Sequence, residues 1–208
     1  MATSGITLLD IQNQQWIELD KMGNEMRLER TGRKLFPLLE YCVKTDQQKK
    51  YLATLVFKNT ATGEESASTC VAKTGKELSE EPLSFAHVRI TCDEEEETGS
   101  TILLEKQTCY IPVIRLFEET EAPTQPSFIF VTEAKIDYTK FKTVALYSGN
   151  VQGFKNKNNP LSKSRAKGWE GRKNWGVMNG EPSRKRRRGQ NDAESEGNEK
   201  ENKKSRQE

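Results

Sequence analysis

The chain has 208 residues, of which 31% are charged and 33% hydrophobic, and its formal net charge is only +2. One core of ordinary size fits this length, but the composition leaves part of the chain too polar to fold. No stretch approaches the roughly 18 apolar residues of a membrane helix and no signal-type apolar run opens the chain, so a soluble, intracellular protein with no membrane partner is expected.

In chain order, the first predicted element is a helix over residues 10–23, DIQNQQWIELDKMG, with Asp10 as N-cap and Gly23 as C-cap. Its Ile11, Trp16, Leu19 and Met22 fall only partly on one face. Short β-branched and aromatic runs then predict strands at LLEYCV (38–43), YLATLVF (51–57), HVRITC (87–92), TILLE (101–105), YIPVIRLF (110–117), SFIFV (127–131) and FKTVALY (141–147). Between them TATGEESAS, DEEEETGS, EETEAPTQP and SGN carry the punctuation of loops. Seven strands need two sheets. The pattern predicts an all-β, immunoglobulin-like antiparallel sandwich, although a barrel would share the periodicity.

Charge is segregated along the chain. Residues 1–154 carry 17 basic and 23 acidic side chains, whereas residues 155–188 carry 12 and 2. A polyanion-binding surface needs such separation, because interspersed signs leave little field beyond a Debye length. The closing QNDAESEGNEKENKKSRQE has no large apolar residue and is expected to be disordered.

Catalytic motifs are missing: there is no GxSxG, phosphate loop or dinucleotide fingerprint, and the one histidine is His87. The protein is therefore expected not to be an enzyme. Cys42, Cys70, Cys92 and Cys109 lie far apart without a CxxC pair, which argues for a reducing compartment and against zinc. The acid run 93–97 lacks the alternating ligands and turn glycine of a calcium loop and reads as a solvated loop. His87 reads as a packed or surface residue. No metal or other cofactor is expected.

Nucleic acid is then the natural partner. In the stretch 16–37, Trp16, Leu19, Gly23, Glu25, Met26, Gly32, Arg33, Lys34, Leu35, Phe36 and Pro37 fall in one ungapped run. Two further segments follow it: SFAHVRIT with CYIPVIRLF, through Ser84, Phe85, Tyr110 and Pro112, and then FKTVALYSGNVQGFKNKNNPLSKSRAKG, through Phe141, Val144, Tyr147, Lys155, Asn159, Pro160 and Lys163. Together, in this order, the three segments resemble a T-box domain, in a divergent form of the kind nematodes carry in numbers.

The resemblance implies a sandwich with short N-terminal and C-terminal helical segments, acting as a sequence-specific transcription factor of RNA polymerase II genes with a developmental role. It implies that Arg33 reaches guanine in the major groove, where the planar fork matches O6 and N7 together. Lys34 would touch phosphate, and Phe36 with Pro37 would fix the arginine's direction. Tyr147, Asn159 and Pro160 mark the C-terminal DNA-contacting element. There, Leu161 and Arg165 stand where the family places two phenylalanines against the minor groove, and Lys155, Lys157, Lys163, Arg165 and Lys167 can neutralise phosphates. Double-stranded DNA is the expected partner. The middle of the domain is shorter than the family norm, so dimer contacts seen in relatives do not carry over.

These readings divide the chain into an N-terminal extension (1–9), the DNA-binding domain (10–168) and a basic, then mixed-charge tail (169–208). Trp169 and Trp175 interleave the tail's first cations and read as packing or tail residues. Arg172 and Lys173 precede Arg184, Lys185, Arg186, Arg187 and Arg188 at the spacing of a two-part import signal, which implies an import receptor and a nuclear location. Two other classes fit the same residues: a nuclear β-sandwich interaction module, and a nucleic-acid binder without sequence preference.

Overall fold

The computed structural model describes residues 5–120 and 126–160. Its elements run β1 (Ile6–Leu8), α1 (Asp10–Asp20), β2 (Glu25–Arg27), β3 (Arg33–Lys34), β4 (Glu40–Val43), β5 (Lys50–Asn59), β6 (Thr69–Thr74), α2 (Gly75–Glu80), β7 (Leu83–Ser84), β8 (Arg89–Thr91), β9 (Thr101–Leu103), β10 (Cys109–Thr120), β11 (Ser127–Lys135), β12 (Phe141–Val144) and α3 (Gly149–Asn158). The strands order as β1-β4-β7, as β2-β12-β10-β5-β6 with β11 also beside β10, and as β3-β8-β9. Most pairs are antiparallel; β2 with β12 and β8 with β9 run parallel. The architecture is the all-β, immunoglobulin-like one that the strand pattern predicts.

Alternation in β5 explains the packing. Tyr51, Ala53, Leu55 and Phe57 point to one side and are buried, while Leu52, Thr54 and Lys58 on the other side are only half-buried. They meet Ile114 and Leu116 of β10, Tyr41 of β4, Leu83 of β7, Ile90 of β8 and Ile102 of β9 in one core drawn from all three sheets. On the other face of β5 and β10, Val56, Ile111 and Val113 form a small separate cluster. Beside it Arg115 binds Glu65 through both guanidinium corners, at 2.8 and 2.5 Å, and Glu133 at 2.8 Å, which tethers β11 to β10.

The helix at 10–23 is shorter than its sequence limits. Asp10 is its first helical residue and not its cap, because Leu9 holds the N-cap position with its own N–H bound to the Glu40 carbonyl. Strand β1, within the segment read as an N-terminal extension, thus pairs with β4 and runs straight into α1. At the other end Lys21 is the C-cap and Gly23 follows with φ +78°. The buried face is Gln12, Trp16 and Leu19, while Ile11 and Met22 are exposed. The strand at 141–147 also ends early. After Val144 pairs with Arg27, the chain leaves the sheet, and Leu146 is exposed.

Strands β1, β2, β3, β6 and β7 lie outside the predicted strands, as does α2, although Thr74 and Glu77 form a capping box at its start. Gly75 sits where a Cβ would fall 1.9 Å from the Asp46 carbonyl oxygen, so only glycine fits. Residues Glu94–Glu96 of the acid run form a surface 3-10 turn capped by Asp93. His87 is exposed beside Phe85. No helix among the described residues is long and apolar enough to cross a membrane.

Candidate nucleic-acid interface

Residues 29–32 reverse direction through a 3.0 Å bond from the Gly32 N–H to the Glu29 carbonyl. Gly32 has φ +71°, and a Cβ there would come within 3.0 Å of the Thr101 methyl, so both conformation and space call for glycine. Strand β8 clamps the turn. Arg89 Nη2 donates to the carbonyls of Thr31 and Gly32 at 3.0 and 2.6 Å, and the Thr91 hydroxyl lies 3.2 and 2.9 Å from those of Glu29 and Arg30. Arg30 Nε donates to Asp93 at 2.9 Å, and that bond holds the Asp93 carboxyl below the usual range.

Arg33 leaves this turn on β3, opposite Ile90 of β8. Its side chain is 24% exposed, Nη1 is bound to the Glu29 carboxylate, and Cζ lies 5.7 Å from the centre of the Tyr147 ring. Three residues on, Phe36 turns inward and packs with Leu19 of α1 and with Val151 and Phe154 of α3, Tyr147 lying against the same cluster. Pro37 is buried behind a cis Phe36–Pro37 peptide. Phe36 therefore ties the arginine-bearing strand to both helices. Lys34 is exposed and shares with Asn158, Asn159 and Pro160 the lining of a cavity of about 310 Å³.

The C-terminal helix docks through Glu25. The Ser148 N–H at its start donates to Glu25 Oε2 at 2.7 Å, setting a carboxylate at the positive end of the helix. From the helix's last turn, Lys155 Nζ donates to the Glu25 carbonyl at 2.6 Å and lies 4.7 Å from the Tyr147 ring centre. Lys155 departs from its expected role. It is 3% exposed, and burial pulls its pKa down to about 7, so it is a buried strut that cannot reach phosphate in this arrangement. Burial also pushes the Tyr147 hydroxyl up. Lys157, two residues later, is exposed.

The structure thus gathers Arg33, Tyr147 and Lys155 in one cluster and Lys34, Asn159 and Pro160 around one cavity. Leu161, Lys163, Arg165, Lys167 and the import residues Arg172, Lys173, Arg184, Lys185, Arg186, Arg187 and Arg188 lie outside the described residues. Glu29, Arg89 and Thr91 were not singled out from the sequence. Arg89 and Thr91 had a signal, two polar residues flanking Ile90 in alternation. Glu29 had none, since four residues along a non-helical chain do not announce a contact.

The T-box family pattern matches residues 9–65 and 58–167. The T-box transcription factor tbx-8 of Caenorhabditis elegans is 30% identical over 185 residues, covering 76% of this chain and 59% of that protein. The T-box transcription factor tbx-9 of the same organism is 27% identical over 214 residues, covering 90% of this chain and 69% of the other. The chain therefore spans well under the full length of either.

Proposed function

This chain belongs to the T-box family, and from that membership we propose that it binds DNA sequence-specifically and regulates transcription by RNA polymerase II in the nucleus. The observation that carries the reading is the setting of Arg33: a cation on a clamped turn, fixed against Tyr147 and Glu29 and wedged by Phe36 to both helices. An arginine so held has already lost most of its freedom, so little remains to be lost when it meets guanine. Exposed Lys34 and Lys157 supply phosphate contacts beside it, with Lys163, Arg165 and Lys167 continuing that role. Nothing in this mechanism makes or breaks a covalent bond.

Arg33→Ala tests it. The variant is expected to bind the preferred site about 1–3 kcal/mol more weakly while binding random duplex almost as before, since a base contact is lost and phosphate contacts persist. Equal losses on both duplexes, in titrations at one salt concentration, would reduce Arg33 to part of the general positive field.

We assign DNA binding to the part up to residue 168 and nuclear import to the tail. Neutral replacements at Arg184, Lys185, Arg186, Arg187 and Arg188 are expected to abolish nuclear accumulation of a fusion too large to diffuse through the pore, without changing site choice in vitro. Undiminished accumulation would place import elsewhere.

A further inference from the structure

We propose that Glu29 is a specificity-determining residue, which makes Arg33 a reader of bases and a poor ligand for phosphate. This rests on the DNA-binding reading above. Glu29 Oε1 is bound to Arg33 Nη1 and lies 3.6 Å from Arg27 Nε, so one carboxylate serves two arginines at the base of the turn. The Glu29 and Arg33 side chains are 27% and 24% exposed, which makes the pair harder to open than a fully solvated one. Among the described residues, no protein acceptor meets Arg33 Nε or Nη2.

The geometry of guanidinium gives this arrangement its consequence. With Nη1 taken, the edge that remains carries two parallel N–H bonds, from Nε and Nη2, and that is the fork which fits guanine O6 and N7. The Tyr147 ring restricts how far the plane can swing. Meanwhile the Glu29 carboxylate offsets one of the two charges of Arg27 and Arg33, so a phosphate gains less by approaching them than it would from two free cations, whereas an acceptor pair in the right place still finds both donors. Arg30 on the same turn differs: Asp93 binds its Nε at 2.9 Å, which occupies the edge that Arg33 keeps open. Freed of Glu29, both Arg33 and Arg27 would present full charge and could settle on whatever phosphate lay nearest.

The test uses the full chain with Glu29→Gln, which keeps size and removes charge, and Glu29→Ala, which also removes the acceptor. Dissociation constants are measured for the site recovered by the wild-type chain from a random duplex pool, and for random duplex of equal length, at three salt concentrations. Circular dichroism melts establish that both variants are folded. In both, random duplex is expected to bind about threefold to tenfold more tightly with a salt slope steeper by about one counterion, and the specific-to-random ratio to fall about tenfold. An unchanged or larger ratio in the two variants would overturn the assignment. Should the wild-type chain recover no site, the DNA-binding reading itself fails at that first step, and the role of Glu29 falls with it.

Discussion

Exchanging Lys155 for methionine is expected to stabilise the domain at pH 6 by about 1–3 kcal/mol, with the gain fading toward pH 10. Lys155 is 3% exposed and its ammonium is surrounded by the Glu25 carbonyl, Met26 Sδ and the Tyr147 ring. Burial is the main cause that brings its pKa from 10.5 to about 7; the Arg33 cation adds to it and Glu25 opposes it. An unfolded chain takes up the proton near 10.5, so between about 7 and 10.5 it holds more protons than the fold does. Stability must therefore rise with pH across that window, and the penalty is complete below it. Methionine removes the charge but leaves the Glu25 carbonyl without its donor, a loss of about 1–3 kcal/mol. The gain is accordingly smaller than the roughly 5 kcal/mol that the full shift represents. Urea denaturation of both proteins at pH 6, 8 and 10 measures it. Parallel curves at all three pH values would show that Lys155 does not titrate in this window.

Trp16→Ala is expected to cost about 3–5 kcal/mol of stability, more than the Lys155 exchange moves in either direction. The indole is fully buried in the main core and its Nε1 donates to the Leu38 carbonyl at 3.1 Å. Losing it leaves a cavity and an unpaired carbonyl together. The helix that carries it also presents Leu19 to Phe36, Val151 and Phe154, so the loss reaches the cluster that sets Arg33. DNA affinity should thus fall along with the melting temperature. Arg33→Ala, by contrast, removes one partly buried ion pair and a ring contact, and is expected to cost only about 1 kcal/mol of stability while specific affinity drops. Comparing the two variants by thermal melting and by titration separates loss of the scaffold from loss of the reader. Trp16→Phe, which keeps a ring, should lose far less.

Long strands were legible because period-two alternation over six or more residues has one physical meaning. β5 and β10 stand nearly where YLATLVF and YIPVIRLF put them. Strands of two or three residues, such as β2, β3 and β7, are made by partners distant in sequence: Met26 becomes strand only because Thr143 lies beside it in parallel. Helix α1 is legible from its end signals, Asp10 and Gly23, and from a partial apolar face. Its start was misplaced because the cap is a leucine tied to Glu40, a long-range bond that no local rule contains. The site divides along the same line between local and distant causes. Arg33, Lys34 and Phe36 carry a recognisable pattern, and Phe36 packs into the cluster with Leu19, Val151 and Phe154. For Lys155 the sequence offers only charge and position, which give a surface cation. Its burial depends on Glu25, Met26 and Tyr147, which lie more than a hundred residues upstream in two cases and on the far side of the helix start in the third.

The central claim is that this T-box chain selects a DNA sequence and does so through Arg33. Repeated selection of bound duplexes from a random pool, run in parallel with the wild-type chain and with Arg33→Ala at the same salt concentration, tests it most directly. The wild-type chain should enrich one recurring site with a fixed guanine, and the variant should relax the choice at that position while keeping the rest of the site. No recurring site with the wild-type chain, or the same guanine enriched as strongly by the variant, would contradict the account.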